Sequence, residues 1–77
     1  MRVQAYVFID TENPGPKRIV GEVRKIPGVV RADALFGRPD VIAIVEGDDV
    51  AQMDAVIDQI AELSGVQDTE SKVIRWV

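Results

Sequence analysis

Apolar and polar residues alternate at the start of the chain: Val3, Ala5, Val7 and Ile9 fall on one face, Gln4, Tyr6 and Phe8 on the other. A period of two predicts a strand over residues 2–9. A polar, Pro/Gly-rich stretch from Asp10 to Pro16 follows, with Pro14 or Pro16 suited to a first helical turn. Ile19, Val20, Val23 and Ile26 then make one stripe of a helix, which Pro27-Gly28 stops. Val29–Phe36 and Val41–Glu46 are extended runs joined by Gly37-Arg38-Pro39-Asp40, a hairpin link built from turn formers. The second run is nearly all apolar, which places it centrally in a sheet. Asp49 with Gln52 forms a capping box for a second helix whose buried stripe is Met53, Val56, Ile57, Ile60 and Leu63. Ser64-Gly65 ends that helix, and Val66–Val77 closes the chain as a strand, polar first and apolar last.

The predicted order is strand, helix, strand, strand, helix, strand. Ile26-Pro27-Gly28-Val29 is echoed by Leu63-Ser64-Gly65-Val66 about half a chain later, so each half is one strand–helix–strand unit. Two such units with right-handed crossovers give a split-βαβ, ferredoxin-like α+β sandwich: a four-stranded antiparallel sheet with both helices on one face. The other face carries Tyr6 and Phe8, half of the four aromatic residues, and needs a cover. A homodimer packed sheet to sheet supplies one, with Tyr6 and Phe8 at its interface.

Composition narrows the function. At 77 residues and 47% apolar, the chain is expected to be one folded domain spanning 1–77, close to the lower size for a self-sufficient core. Nine basic against thirteen acidic residues give a net charge of −4, which opposes direct nucleic-acid binding. With no secretory or membrane-length apolar run, a soluble, cytoplasmic protein without membrane contact is expected. The chain has neither His nor Cys, so the commonest bases, nucleophiles and transition-metal ligands are missing. Asp48-Asp49 reads as a helix start rather than a metal pair. Asp54, Asp58 and Glu62 read as a solvated acidic stripe, with a docking face for a basic partner as the alternative. No enzyme, metal or cofactor is expected. Trp76 fits an interface or edge packing equally well.

The helix end Ile26-Pro27-Gly28-Val29, the hairpin Gly37-Arg38-Pro39-Asp40, and Gly65-Val66 followed by Thr69 and Ser71 together resemble the effector-binding domain of the Lrp/AsnC regulators. The likeness runs from Val3 to Ile74. It implies a βαββαβ module that dimerises through its sheets, assembles into octamers or similar rings, and binds an amino acid or related small effector between dimers near the hairpin tip. Full-length members of the family carry an N-terminal DNA-binding helix-turn-helix. This chain starts at the first strand and so resembles the stand-alone form, which works alone or by mixed assembly with full-length regulators.

Carried over by residue, Gly37 and Asp40 match the family's G-x-x-D hairpin, and Thr69 and Ser71 match hydroxyl positions of its last strand. The resemblance then has Asp40 accepting the ligand's ammonium group, backbone N–H groups around Gly37 and Arg38 holding its carboxylate, and Thr69 and Ser71 adding hydroxyls. Arg38 either pairs with the carboxylate or points to water. Pro39 stands where the family often has an aromatic wall. Competing readings are a ligand-free structural oligomeriser and a small dimeric α/β-barrel-type enzyme. The ACT domain shares the element order, but its glycine-rich turn is not matched by Asn13-Pro14-Gly15-Pro16.

Overall fold

A computed structural model of the chain describes residues 2–12 and 15–75. Its elements follow the predicted order: β1 (Val3–Thr11), α1 (Pro16–Arg24), β2 (Val29–Ala34), β3 (Val41–Gly47), α2 (Val50–Ala61) and β4 (Val66–Val73). The strands form one antiparallel sheet in the order β2-β3-β1-β4, so the apolar β3 is central, beside β1. This is the ferredoxin-like sandwich. Pro14 and Trp76 lie outside the described residues.

The alternation of β1 decides the layering. Ala5, Val7 and Ile9 are fully buried with Val41, Ala43 and Val45 of β3, and Ile19, Val20 and Val23 of α1 and Met53, Val56 and Ile60 of α2 close over them. Fully burying a Val or Ile side chain contributes roughly 1.5–3 kcal/mol, so this layer dominates the stability. Ile57 and Leu63 sit half-buried at its edge. On the second face the register sets Tyr6 against Ile44 and Phe8 against Ile42, and Tyr6 and Phe8 stack with ring centroids 6.5 Å apart. No element of the described chain covers this face, and Tyr6 stays 40% exposed.

The helices end two residues short of the predicted stripes, α1 at Arg24 and α2 at Ala61, and three strands differ from the sequence reading by two residues or more. β1 runs two residues further, because Asp10 and Thr11 find partners in Asp68 and Val66 of β4 across a register shift. β2 stops at Ala34 rather than Phe36, where the Leu35 N–H turns to the Asp40 carbonyl (2.8 Å) and closes the hairpin. β4 ends at Val73, with one further ladder bond from the Ile74 N–H to the Gln4 carbonyl. The α2 start is the expected one: the Asp49 carboxylate accepts the Gln52 N–H at 2.8 Å. The Gln52 side chain reaches back one residue past the cap and accepts the Asp48 N–H.

Candidate functional site

The hairpin end of the sheet is where the expected site residues gather, and Thr11 organises it. The last residue of β1 is buried, and both its donors go to one carboxylate: the backbone N–H to Asp40 Oδ1 (2.9 Å) and the hydroxyl to Asp40 Oδ2. Asp40 in turn donates its own N–H to the Ile9 carbonyl. Asp40 therefore clamps the hairpin to β1, and its side chain is only 14% exposed. Burial acts to raise the Asp40 carboxyl. The Thr11 hydroxyl, the Thr11 and Asp40 N–H groups and the Arg38 guanidinium outweigh it, and hold the carboxyl below the ordinary Asp value.

Arg38 folds back over this clamp. One of its guanidinium nitrogens donates to the Thr11 carbonyl at 3.1 Å, with Asp40 Oδ2 at 3.4 Å and Asp10 Oδ1 at 4.0 Å. That Asp10 oxygen is buried and accepts no hydrogen bond. Asp10 lines a cleft of about 390 Å³ on the open side of the sheet, together with Phe8, Arg38, Pro39, Asp68, Glu70 and Lys72. The lining combines an apolar floor, Phe8 and Pro39, with both signs of charge. Lys72 and Glu70 lie 3.4 Å apart on its outer wall.

The expected residues do not all meet in one chain. Arg38 and Pro39 line the cleft, Asp40 lies behind Arg38, and Gly37 sits at the open tip. Thr69 and Ser71 stand opposite Ile9 and Val7 in the register, on the helix side of β4, whereas Asp68, Glu70 and Lys72 stand opposite Asp10, Phe8 and Tyr6 on the open side. Sequence reasoning did not single out Asp10, Asp68, Glu70 or Thr11. Their signal was parity: once β1 continues through Asp10, it shares a face with Phe8. Among the described residues, no group of three or more His, Cys, Asp or Glu is arranged to hold a metal ion. Among them, too, no helix is long and apolar enough to cross a membrane.

The chain thus presents a ferredoxin-like sheet with a charged cleft at its hairpin end. The family model of the Lrp/AsnC ligand binding domain matches residues 4–75, and the chain belongs to that family. A comparison with curated proteins gives no match. Among solved structures, TTHA0845 from Thermus thermophilus is 26% identical, with a TM-score of 0.89 over 97% of this chain and 95% of its own. The transcriptional regulator NMB0573 from Neisseria meningitidis, solved as a complex with L-Met, is 26% identical with a TM-score of 0.80 over 96% of this chain. This chain spans about half (50%) of that regulator. An AsnC family transcriptional regulator from Agrobacterium tumefaciens shares the fold at 24% identity, with a TM-score of 0.82 over 99% of this chain and 52% of its own.

Proposed function

We propose that this chain is a non-enzymatic regulatory module that binds a free amino acid at the hairpin end of its sheet and acts through self-association. The observation that carries the proposal is the presence of Arg38 and Asp10, with charged atoms 4.0 Å apart, in the lining of one cleft. Opposite charges a few ångströms apart match the two charged groups of a zwitterion, and the solved complex of a family relative with L-Met supports that ligand class. Arg38 takes the carboxylate and Asp10 takes the ammonium, while Phe8 and Pro39 receive the side chain. Asp40, with both oxygens committed to Thr11, holds the hairpin in place and reaches the ligand only by releasing that partner. Thr69 and Ser71, on the other side of β4, join a site only across a contact with a further copy.

The uncovered apolar face with Tyr6, Phe8, Ile42 and Ile44 supports a sheet-to-sheet homodimer, which closes the cleft from above. A ligand held better in the assembled state then shifts the population toward it, and that shift is the signal passed on to full-length regulators. The test is calorimetric titration with a panel of free amino acids, with light scattering on the same samples. Binding of one amino acid, lost at least tenfold in Arg38→Ala and in Asp10→Asn with the fold intact, is the expected result. No binding across the panel, or unchanged affinity in both variants, overturns the proposal.

A further inference from the structure

The cleft at the hairpin end does not balance its own charge. Its lining holds three carboxylates, Asp10, Asp68 and Glu70, against two cations, Arg38 and Lys72. Both cations already face carboxylates. Arg38 has Asp40 Oδ2 at 3.4 Å and Asp10 Oδ1 at 4.0 Å. Lys72 has Glu70 at 3.4 Å. Asp68 differs from them. Among the described residues it forms no ion pair, and its carboxylate accepts the N–H of Thr69 at 3.0 Å. It is also exposed, on the open side of the sheet, where a ligand can reach it. The β1–β4 register sets it directly opposite Asp10. Like charges directly opposite on two strands destabilise a sheet, and a cation set against them relieves that repulsion.

We infer, resting on the amino-acid reading of this cleft, that the effector carries a cationic side chain, as lysine and arginine do, and that Asp68 takes the side-chain cation. Arg38 and Asp10 keep their parts, for the carboxylate and the ammonium. A zwitterion brings no net charge and leaves the surplus carboxylate as it was; one further positive group cancels it. The floor fits the same ligand. Phe8 and Pro39 are half-buried and offer apolar surface, with Asp68 and Glu70 on the neighbouring strand. An apolar stem with a charged head is the build of a lysine or arginine side chain, and a cation over the Phe8 ring gains from its face as well.

Other side chains fit less well. A neutral one leaves Asp68 without a counter-charge once the open face is covered, and an uncompensated carboxylate removed from water is costly. An acidic one adds to a surplus of its own sign, and Lys72, the remaining cation of the lining, already stands beside Glu70.

The experiment is calorimetric titration of the whole chain with L-lysine, L-arginine, L-norleucine and L-glutamate. Norleucine has the lysine stem without its amine, so the ratio of the two affinities isolates the side-chain cation. Lysine or arginine is expected to bind about tenfold more tightly than norleucine, the size of one charge-assisted contact, with glutamate the weakest. In Asp68→Asn, which keeps an oxygen for the Thr69 N–H, that preference is expected to disappear at an unchanged melting temperature. Cadaverine, which is lysine without its carboxylate, is expected to bind more weakly than lysine because it leaves Arg38 unused. Norleucine binding as tightly as lysine overturns the cationic class and leaves the amino-acid reading standing. A lysine preference that survives in Asp68→Asn likewise overturns the assignment of Asp68 alone. Cadaverine binding as tightly as lysine, or no binding by any of the amino acids, overturns both.

Discussion

The two halves of the chain turn the same corner in different surroundings. After α1, Gly28 takes φ of 100°, and after α2, Gly65 takes φ of 96°. The bonds around them correspond: the Val29 N–H donates to the Ile26 carbonyl, and the Val66 N–H donates to the Leu63 carbonyl. What lies against each glycine differs. A Cβ at Gly28 would sit 2.5 Å from Val56 Cγ2 and 3.2 Å from the Glu46 carbonyl oxygen, between a buried residue of α2 and the backbone of β3. A Cβ at Gly65 would meet the Arg18 guanidinium first, at 2.5 Å, and Ile19 Cδ1 at 3.1 Å. An exposed Arg side chain can swing away; a core Val and a strand carbonyl cannot. The helix starts reverse the order. α2 has a side-chain cap in Asp49, whereas α1 begins at Gly15-Pro16 with no side-chain cap. One half is secured at its exit and the other at its entrance.

The largest expected effect tests that contrast directly. Gly28→Ala combines positive-φ strain with a clash against fixed atoms and is expected to cost about 3 kcal/mol in urea unfolding. Gly65→Ala, which shares the strain but meets a movable Arg18 and only a milder contact with the buried Ile19, is expected to cost about 1.5 kcal/mol. Equal costs would mean that backbone strain alone sets the corner and that its packing is irrelevant.

Thr11→Val comes next, at about 2 kcal/mol, because it leaves a largely buried Asp40 oxygen without its hydroxyl donor. It also changes the pH profile. The folded Asp40 carboxyl is held below its unfolded value, so its contribution is fully present above the unfolded pKa, near about 4, and is lost as pH falls through the folded value. Thr11→Val is expected to flatten that acid limb, as measured by urea unfolding at several pH values. An unchanged limb would assign it to other carboxylates. The smallest effect is at the helix start: Asp49→Ala is expected to cost about 1 kcal/mol by thermal unfolding. A negligible cost would mean that α2 is held by its packing without help from the cap.

The fold was legible because its signals are local and periodic. The alternation around Tyr6 and Phe8, the apolar run of β3, the Asp49–Gln52 cap and the repeated Gly corners each specify an element without knowledge of its neighbours. Of the candidate cleft, the hairpin contribution was legible, through Arg38 and Pro39. Gly37, Arg38, Pro39 and Asp40 are contiguous and were singled out together. Thr11 was not, because a polar residue ahead of a Pro/Gly-rich stretch reads as loop until the partner 29 positions away is known. Asp10, Asp68 and Glu70 were missed for a related reason. Their common face emerges only once β1 is known to continue through Asp10 and to pair with β4, Phe8 opposite Glu70 and Asp10 opposite Asp68.

The tie between Thr11 and Asp40 has a spectroscopic consequence. The Thr11 amide proton is held by a carboxylate rather than by the sheet ladder, so its exchange with deuterated solvent follows the state of that one side chain. A ligand that leaves Asp40 in place keeps the amide slow. A ligand whose ammonium draws the carboxylate away sets it free to exchange. The chain thus carries a built-in indicator of which acid meets its effector, readable from a single cross-peak.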